Sequence, residues 1–248
     1  VNAFKSNNEI IASPVALPEH WTLQYIKTAM EAINFGKALG LTFIITFFSI
    51  LLLVIVSSFA AWAMVRSKTI LSNIVFLCFT AAMLVPFQSL MYPLLSVFEK
   101  MGLKNVQGLI LMYGGFGLSM SVFLYHGFIK SVPASLEEAA VLDGANLFQM
   151  FFKVVFPLLK GTTVTVIVLN GMWIWNDYLL PFLVIGNKTG SKTLTLELYF
   201  AKLTSGQYGN PWELIFPAVF VTIIPIIILY IFLQKYIVAG VSEGAVKM

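Results

Sequence analysis

Long apolar runs separated by short polar segments dominate the hydropathy pattern of this chain. A helix that crosses a bilayer needs about 20 apolar residues, and backbone polar groups in lipid must be paired within the segment. Five runs satisfy this length, at residues 38–65, 69–95, 105–129, 161–185 and 214–234. The pattern therefore predicts an all-α integral membrane protein with five transmembrane helices in this sequence.

Prolines are expected to modify two of these helices, because proline lacks the backbone N–H that a helix interior uses. Pro86 and Pro93 should break the second run near one end. Pro217 and Pro225 should bend the fifth run.

The composition agrees with a protein whose solvent is the lipid bilayer. Only 10% of the 248 residues are charged, against about 25% in soluble domains. The net charge of +4 is ordinary for a membrane protein and gives no argument for a nucleic-acid partner. Cys78 is the only cysteine, which excludes an internal disulfide and a cysteine metal cluster.

Residues 130–160 form the longest polar interruption in the C-terminal half. Ser135 and Glu138 have the spacing of a capping box, in which Glu138 would reach back to the backbone of Ser135. Pro133 is an alternative first helical residue. Gly144 can adopt a left-handed conformation and turn the chain out of the helix. The segment is therefore predicted to contain a short helix that ends near Gly144.

The same segment carries a spaced motif. Glu138-Ala139-Ala140 is followed by three residues, Gly144, nine residues and then Val154-Val155-Phe156-Pro157. This pattern resembles the cytoplasmic signature loop of the membrane subunits of bacterial ABC importers, with Val154 and Phe156 in place of isoleucine and leucine. In that family the loop forms a coupling helix that docks in a cleft of the ATPase subunit. The resemblance implies ATPase coupling by Glu137, Glu138, Ala139, Ala140, Asp143, Gly144 and Pro157.

Further segments resemble the carbohydrate branch of this family, especially the second permease subunit of the maltose type. They include Val85-Pro86-Phe87-Gln88, Trp175-Asn176-Asp177-Tyr178 and Gln234-Lys235-Tyr236. The resemblance implies a type I importer permease in the bacterial cytoplasmic membrane, without a cofactor of its own. It also implies a second permease subunit, an extracellular substrate-binding protein, and an ATPase dimer that binds ATP and Mg²⁺.

Orientation follows from the resemblance alone. Lysines and arginines are divided almost evenly between the two sets of loops, so the positive-inside rule does not decide it. With the 130–160 loop in the cytoplasm, residues 1–37 are an extracellular segment. We expect them to follow a sixth, N-terminal helix that is missing from this sequence.

Polar residues in the fourth run are candidates for the translocation path. Asp177 is the only acid within a predicted span. It lies 17 residues beyond Lys160, roughly 25 Å along a helix at 1.5 Å per residue, so bracing of an outer gate is favoured over substrate contact. Asn170 and Trp173 lie nearer the midplane and suit sugar hydroxyls and C–H faces, although helix packing explains them as well. The candidates are Asn170, Trp173, Asn176 and Asp177.

Other polar and aromatic positions have more than one interpretation. Thr42, Thr46, Ser49 and Ser57 share one helical face, which favours helix packing over a pore. Glycines at 114, 115 and 117 suggest close helix contact. Trp62 and Tyr178 fit an aromatic belt at the membrane surface.

Residues 186–193 resemble a phosphate-binding loop at first sight. Only three residues separate Gly186 from Gly190, and Ser191 interrupts the Gly-Lys pair that the loop requires. We interpret the stretch as a flexible external loop. The chain then has no ATP site of its own, and energy must come from a partner.

These observations predict a permease subunit of an ATP-driven importer for a sugar or oligosaccharide. A secondary transporter that works without an ATPase is the main alternative, although it needs an ion-binding centre near the midplane. A membrane enzyme would need a nucleophile, a metal cluster or an acid–base pair, and Asp177 alone offers a buried acid. The sequence does not specify which sugar is carried.

Overall fold

The computed structural model describes residues 1–186, 190, 192–205 and 210–245. Within these residues the regular structure is helical, and no strand is formed. Two short turns, the 3-10 turn Asn2–Phe4 and the π-helical turn Phe151–Val155, accompany the α-helices. The α-helices are α1 (Asn7–Ala12), α2 (Gln24–Ala32), α3 (Phe35–Ser67), α4 (Ile70–Ala82), α5 (Phe87–Lys100), α6 (Val106–Ile129), α7 (Ser135–Leu142), α8 (Leu147–Met150), α9 (Phe156–Leu158), α10 (Lys160–Asn176), α11 (Leu179–Val184), α12 (Leu194–Ser205) and α13 (Trp212–Ala245).

The structure confirms the all-α membrane fold. Among the described residues, three helices are long and apolar enough to cross a bilayer: Phe35–Ser67, Val106–Ile129 and Trp212–Phe232. Two bent helix pairs, Ile70–Ala82 with Phe87–Lys100 and Leu147–Leu158 with Lys160–Asn176, pass the same test when each pair is counted as one span. The upper total is five, but the second pair includes part of the predicted loop 130–160 and does not coincide with the predicted span 161–185.

The second predicted span is sharply bent. The axes of α4 and α5 differ by 106°, and Pro86 is the N-cap of α5 with an extended backbone (φ −69°, ψ 139°). The break predicted at Pro86 is therefore confirmed. The break predicted at Pro93 is wrong, because Pro93 lies inside α5, where a membrane helix tolerates the loss of one backbone hydrogen bond.

The fourth predicted span, 161–185, is shorter than expected. Helix α10 ends at Asn176, and the backbone of Asp177 is extended (φ −73°, ψ 133°). The Asp177 carboxylate accepts a hydrogen bond from the Leu179 N–H at 2.9 Å. This side-chain bond offers the backbone an alternative to the helical ladder, so α11 starts as a separate helix.

Helices α3 and α6 pack side by side and form the centre of the bundle. A buried cluster at this contact includes Leu53, Leu109 and Tyr113. A Cβ atom on Gly117 would lie 2.7 Å from the Leu53 side chain, and one on Gly114 would lie 2.5 Å from Leu52. The predicted close contact is therefore confirmed at these two glycines and wrong at Gly115, where a Cβ atom would have no neighbour within 4 Å.

The polar face of α3 is a packing surface. Thr42, Thr46, Ser49 and Ser57 are all buried. The Thr42 hydroxyl donates to the Ala38 carbonyl at 2.8 Å, and the Ser57 hydroxyl donates to the carbonyl of Leu53. The burial supports helix packing over a pore lining for this face.

The N-terminal segment folds onto the Phe35 end of the bundle. Ala29 and Ile33, from α2 and just after it, pack with Ala218 of α13 in one buried cluster. The Asn7 N–H donates to the Glu213 carboxylate at 3.0 Å. These contacts tie residues 1–34 to the start of α13.

The sequence also predicts a loop at 186–211, which is rich in Gly, Ser, Thr and Asn, and a C-terminal tail from Lys235, and both predictions are wrong in part. Residues 194–205, expected within a loop at 186–211, form α12, and Leu194 and Leu196 are fully buried. The predicted tail from Lys235 is instead helical as far as Ala245. In the loop that resembles a phosphate-binding site, residues 187–189 and 191 lie outside the described part of the chain, as do residues 246–248.

Candidate coupling segment and translocation face

The start of α7 differs from the prediction. Its N-cap is Ala134, which makes no side-chain capping bond, and Ser135 is already helical. The backbone N–H groups of Glu137 and Glu138 donate to the Ala134 carbonyl at 2.9 and 3.0 Å. Both predicted starts of α7 are therefore wrong. A capping box at Ser135 would start the helix at Leu136, and the alternative would start it at Pro133, whereas α7 starts at Ser135.

Gly144 turns the chain out of α7 as predicted. Its φ of +79° lies in the left-handed region that favours glycine. The Ala145 N–H donates to the Ala140 carbonyl at 2.9 Å, and the Gly144 N–H donates to the Val141 carbonyl at 3.0 Å. These bonds satisfy carbonyls at the end of the helix, as in a Schellman motif.

The chain then returns to the bundle through α8, the π-helical turn and α9. Asn146 and Gln149 form a reciprocal capping box at α8, with bonds of 2.9 and 3.0 Å. This box was not predicted, although an Asn followed three residues later by Gln is a recognised sign of a helix start. Exposed Pro157 lies in the first turn of α9, directly after the π-helical turn, and its missing N–H prevents a regular helical bond to Lys153. This stretch and α10 meet at 77°.

The exposed surface of α7 and its C-terminal turn is called the knob here. Leu142 is 88% exposed, and the small Ala139, which follows Glu138 in the sequence, is exposed as well. The knob thus combines an apolar tip, small side chains and two acids on a short, protruding helix. Its residues are Glu138, Ala139, Val141, Leu142, Asp143 and Gly144, all of which are exposed.

Glu137 is not part of the knob, because its side chain is turned inward and only 8% of the residue is exposed. One carboxylate oxygen accepts from Arg66 Nε at 2.8 Å and lies 2.7 Å from Arg66 Nη2. The other oxygen accepts from Trp62 Nε1 at 3.0 Å. Ala140 on the same face is also buried. Neither side chain lies at the surface of this structure, and the ATPase coupling predicted for these two residues stays a prediction.

An aromatic cluster lies beneath this ion pair. The ring of Trp62 lies 5.5 Å from Phe59 and 5.2 Å from Phe151, measured between ring centroids. Trp62 is 4% exposed and Phe151 is fully buried. The prediction that Trp62 belongs to an interfacial belt is wrong, because its indole N–H is used inside the protein by Glu137.

Asn170 lies at the contact between α10 and α6. Its amide donates to the Ser121 hydroxyl at 3.1 Å and to the Val166 carbonyl at 2.9 Å. A Cβ atom on Gly117 would lie 2.5 Å from the Asn170 side-chain oxygen. Asn170 is 5% exposed, so its polar atoms join α10 to α6 in this structure.

Asp177 lies between α10 and α11 and forms hydrogen bonds with two residues that are distant in sequence, Tyr113 and Thr195. Its carboxylate accepts from the Tyr113 hydroxyl at 3.0 Å, in addition to the Leu179 N–H. Its carbonyl accepts from the Thr195 hydroxyl at 2.7 Å. The sequence analysis did not identify Tyr113, since 64 positions separate it from Asp177.

Trp173 and Asn176 have a different environment from the other two path candidates. Both are exposed, and they share one face of α10 with exposed Leu169 and Met172. Trp173 packs edge-on against Tyr113 at 5.5 Å between ring centroids. The structure thus separates the four candidates into an outward pair and an inward pair. Among the described residues, no group of three His, Cys, Asp or Glu side chains is placed to hold a metal ion.

Comparison with known proteins identifies the family. The family model of the binding-protein-dependent transport system inner membrane component matches residues 53–243. The probable starch degradation products transport system permease protein AmyC of Thermoanaerobacterium thermosulfurigenes is 44% identical over 100% of this chain and 89% of its own length. The multiple sugar-binding transport system permease protein MsmG of Streptococcus mutans is 36% identical over 99% of this chain and 88% of its own length.

A solved structure shares the fold. It is described as a bacterial ABC transporter involved in the import of the acidic polysaccharide alginate, and it has a TM-score of 0.80 at 22% identity. The match covers 95% of this chain and 87% of that chain. This chain therefore belongs to the binding-protein-dependent transport system inner membrane components, and it is a multi-pass ABC-transporter permease of the cytoplasmic membrane.

Proposed function

We propose that this chain is one permease subunit of an ATP-driven importer that moves a sugar or oligosaccharide across the cytoplasmic membrane by alternating access. It works with a second permease subunit, an ATPase dimer and an extracellular substrate-binding protein. ATP and Mg²⁺ bind to the ATPase, and hydrolysis takes place there. This chain receives the effect of ATP through residues 130–160.

The knob is the observation that carries this proposal. A helix of eight residues, Ser135–Leu142, protrudes from the bundle with Leu142 88% exposed. Its base is fixed by Glu137, and its tip presents Ala139 and Gly144, which allow close approach of another surface. Glu138, Ala139, Asp143 and Gly144 are the residues that contact the ATPase. Pro157, Glu137 and Ala140 determine the shape and position of the segment.

Coupling requires a firm contact between the knob and the ATPase. ATP must favour one of two permease conformations through contacts that differ between them. Reversing a balance of 1:99 takes about 5.5 kcal/mol. An exposed helix that is anchored by an ion pair can transmit a movement of the ATPase to the permease. A loosely held loop would instead change its own conformation and transmit little of that movement.

Carbohydrate cargo is supported by the names of the relatives and by one face of α10. AmyC is named for starch degradation products and MsmG for multiple sugars. The exposed Trp173 ring offers a surface for the apolar faces of sugars, and the Asn176 amide offers hydrogen bonds to hydroxyls. Asn170 and Asp177 contribute by holding α10 against α6 beside this face.

Cysteine cross-linking within the assembled complex tests the coupling contact. In a Cys78→Ser background, which removes the only cysteine of this chain, a short bismaleimide should cross-link Ala139→Cys to a cysteine introduced in the facing surface of the ATPase. Ala12→Cys is the matched control, because Ala12 is also an exposed alanine but lies at the other end of the bundle. Labelling of Ala139→Cys by a membrane-impermeant maleimide from the external side would overturn the proposal.

Transport measurements distinguish this function from its alternative. Uptake of radiolabelled maltotriose into proteoliposomes, with the external receptor present, should stop when the ATPase carries an inactivated catalytic site. Unchanged accumulation driven by an ion gradient would instead identify a secondary transporter.

A further inference from the structure

Glu137 is the principal side-chain link between α7 and the membrane helices. Both of its carboxylate oxygens are occupied, one by the Arg66 guanidinium and the other by the Trp62 indole N–H. Arg66 also donates to the Val132 carbonyl at 3.0 Å, so it fixes the chain just before α7. Trp62 and Arg66 lie one helical turn apart at the end of α3. They form two attachment points on one helix.

Helix α3 is suited to carry a displacement through the bundle. It has 33 residues, which corresponds to roughly 50 Å at 1.5 Å per residue. Its Arg66 end contacts the coupling segment. Its Phe35 end adjoins α2 and the cluster that contains Ala38 and Trp175. A movement of α7 that is transmitted to α3 therefore reaches the opposite face of the protein.

We propose that Glu137, together with Trp62 and Arg66, is a positioning joint that transmits movement of α7 to α3. This inference rests on the proposed function, because it assumes that α7 is displaced by an ATPase. Glu137 itself does not touch the ATPase. It determines which membrane helix follows the knob.

Apolar packing of α7 itself on α3 is slight. The other buried residue of α7 is Ala140, whose single methyl group holds little surface. Helix α7 packs mainly against α8 and the π-helical turn. Phe151 of that turn packs on Phe59 and Trp62 of α3, so the segment behind α7 also contacts α3. The joint adds the link that runs directly from α7 to the same end of α3.

Two fluorescent reporters, one on each side of the joint, test this inference in the complete complex with its ATPase. In the Cys78→Ser background, a dye at Ser135→Cys reports the movement of the knob, because Ser135 is exposed on α7 and lies outside the residues proposed to contact the ATPase. A dye at exposed Lys37→Cys reports the far end of α3. Both should respond when ATP binds. With Glu137→Gln or Trp62→Phe, the knob response should persist. The α3 response should fall about fivefold or more, since coupling factors between sites are typically 5–150-fold.

The variants separate a joint from a merely structural role. Trp62→Phe keeps an aromatic ring in the cluster but removes the N–H, and the pair Glu137→Gln with Arg66→Gln should restore part of the α3 response. Glu99→Gln is the control, since Glu99 is in an exposed ion pair with Lys104 at 3.7 Å. An α3 response of full amplitude in both Glu137→Gln and Trp62→Phe overturns the joint. A silent knob reporter in the unmodified complex would instead overturn the proposed function.

Discussion

Glu137 and Asp177 are acids at opposite ends of the bundle, and their environments differ in kind. Glu137 pairs with the Arg66 guanidinium at 2.7 Å and accepts from the Trp62 indole. Asp177 accepts its side-chain hydrogen bonds from neutral groups, the Tyr113 hydroxyl and a backbone N–H. Glu137 is buried, whereas Asp177 is partly exposed.

The difference separates a link between two distinct elements from a local link within one stretch of chain. The pair of Glu137 and Arg66 joins α7, a protruding helix, to α3, a membrane helix. Asp177 closes a break between two consecutive helices that are already held by their neighbours. Loss of one partner of a buried ion pair is strongly destabilising, whereas Asp177 is itself partly exposed, so water can enter the position that its carboxylate would leave. Removing each acid should therefore have effects of different size.

Glu137→Ala should have the largest effect on stability. It leaves the Arg66 charge without its carboxylate partner. Breaking a fully buried pair costs about 3–5 kcal/mol, and we expect the lower end of that range because 22% of the Arg66 side chain is exposed. Hydrogen exchange of the α7 amides in the purified protein should accelerate accordingly. Glu99→Ala breaks an exposed pair. It should change the free energy of local opening, derived from hydrogen exchange, by no more than about 1 kcal/mol. Equal effects of the two substitutions would contradict the distinction.

Asp177→Ala should have an intermediate effect. Hydrogen bonds to a charged group contribute about 1.5–3 kcal/mol, and two are lost, although water partly replaces them. Faster exchange at the start of α11 should report the change. The neighbouring Asn176→Ala removes an exposed amide and should stay within about 0.5 kcal/mol. If Asn176→Ala proves the more damaging change, the bracing role of Asp177 is wrong.

Gly144→Ala should cost about 1–2 kcal/mol, because a left-handed residue with a Cβ is strained. No atom lies within 4 Å of the position of that Cβ, so the effect is conformational and not steric. Gly115→Ala is the matched control. It is helical with equally open space, and alanine there should stabilise by about 0.5–1 kcal/mol. Opposite signs in thermal unfolding of the two variants are the expected result.

Ala139→Trp should have the smallest effect on stability and a large effect on transport. The position is exposed, so unfolding should change by less than about 0.5 kcal/mol. The bulky ring should keep the ATPase from the knob and lower ATP-dependent uptake more than about tenfold, equivalent to 1.4 kcal/mol. Ala12→Trp, also at an exposed alanine, should leave uptake unchanged. Normal uptake with Ala139→Trp would count against the coupling contact.

Features that depend on local chemistry were predictable from the sequence. Gly144 was expected to be left-handed, and it is, because few other residues tolerate that conformation. The break at Pro86 was predicted for a similar reason, and the close contacts of Gly114 and Gly117 also follow from local residue type. A cap at Ser135 would start the helix at Leu136, whereas α7 starts at Ser135. The carbonyls of Pro133 and Ala134 already accept from the N–H groups of the first turn, so no Ser135 side-chain cap is required.

Features that depend on distant partners were not predictable. Trp62 was assigned to an interfacial belt because an isolated tryptophan near a helix end is typical of one. Its burial depends on Phe151 and Glu137, which lie about 80 positions further along the chain. The separation of Trp173 and Asn176 from Asn170 likewise depends on where α6 lies against α10.

The sequence by itself determined the membrane helices, the turn at Gly144 and the presence of a short acidic helix, because hydropathy and backbone preference act over a few residues. Only the tertiary structure decided the roles of Glu137 and Glu138, which are adjacent and chemically identical. Helix geometry turns the first toward Trp62 and Arg66, 75 and 71 positions away, and turns the second to the surface. A buried carboxylate needs such donors within about 3 Å, and only the folded chain brings them there.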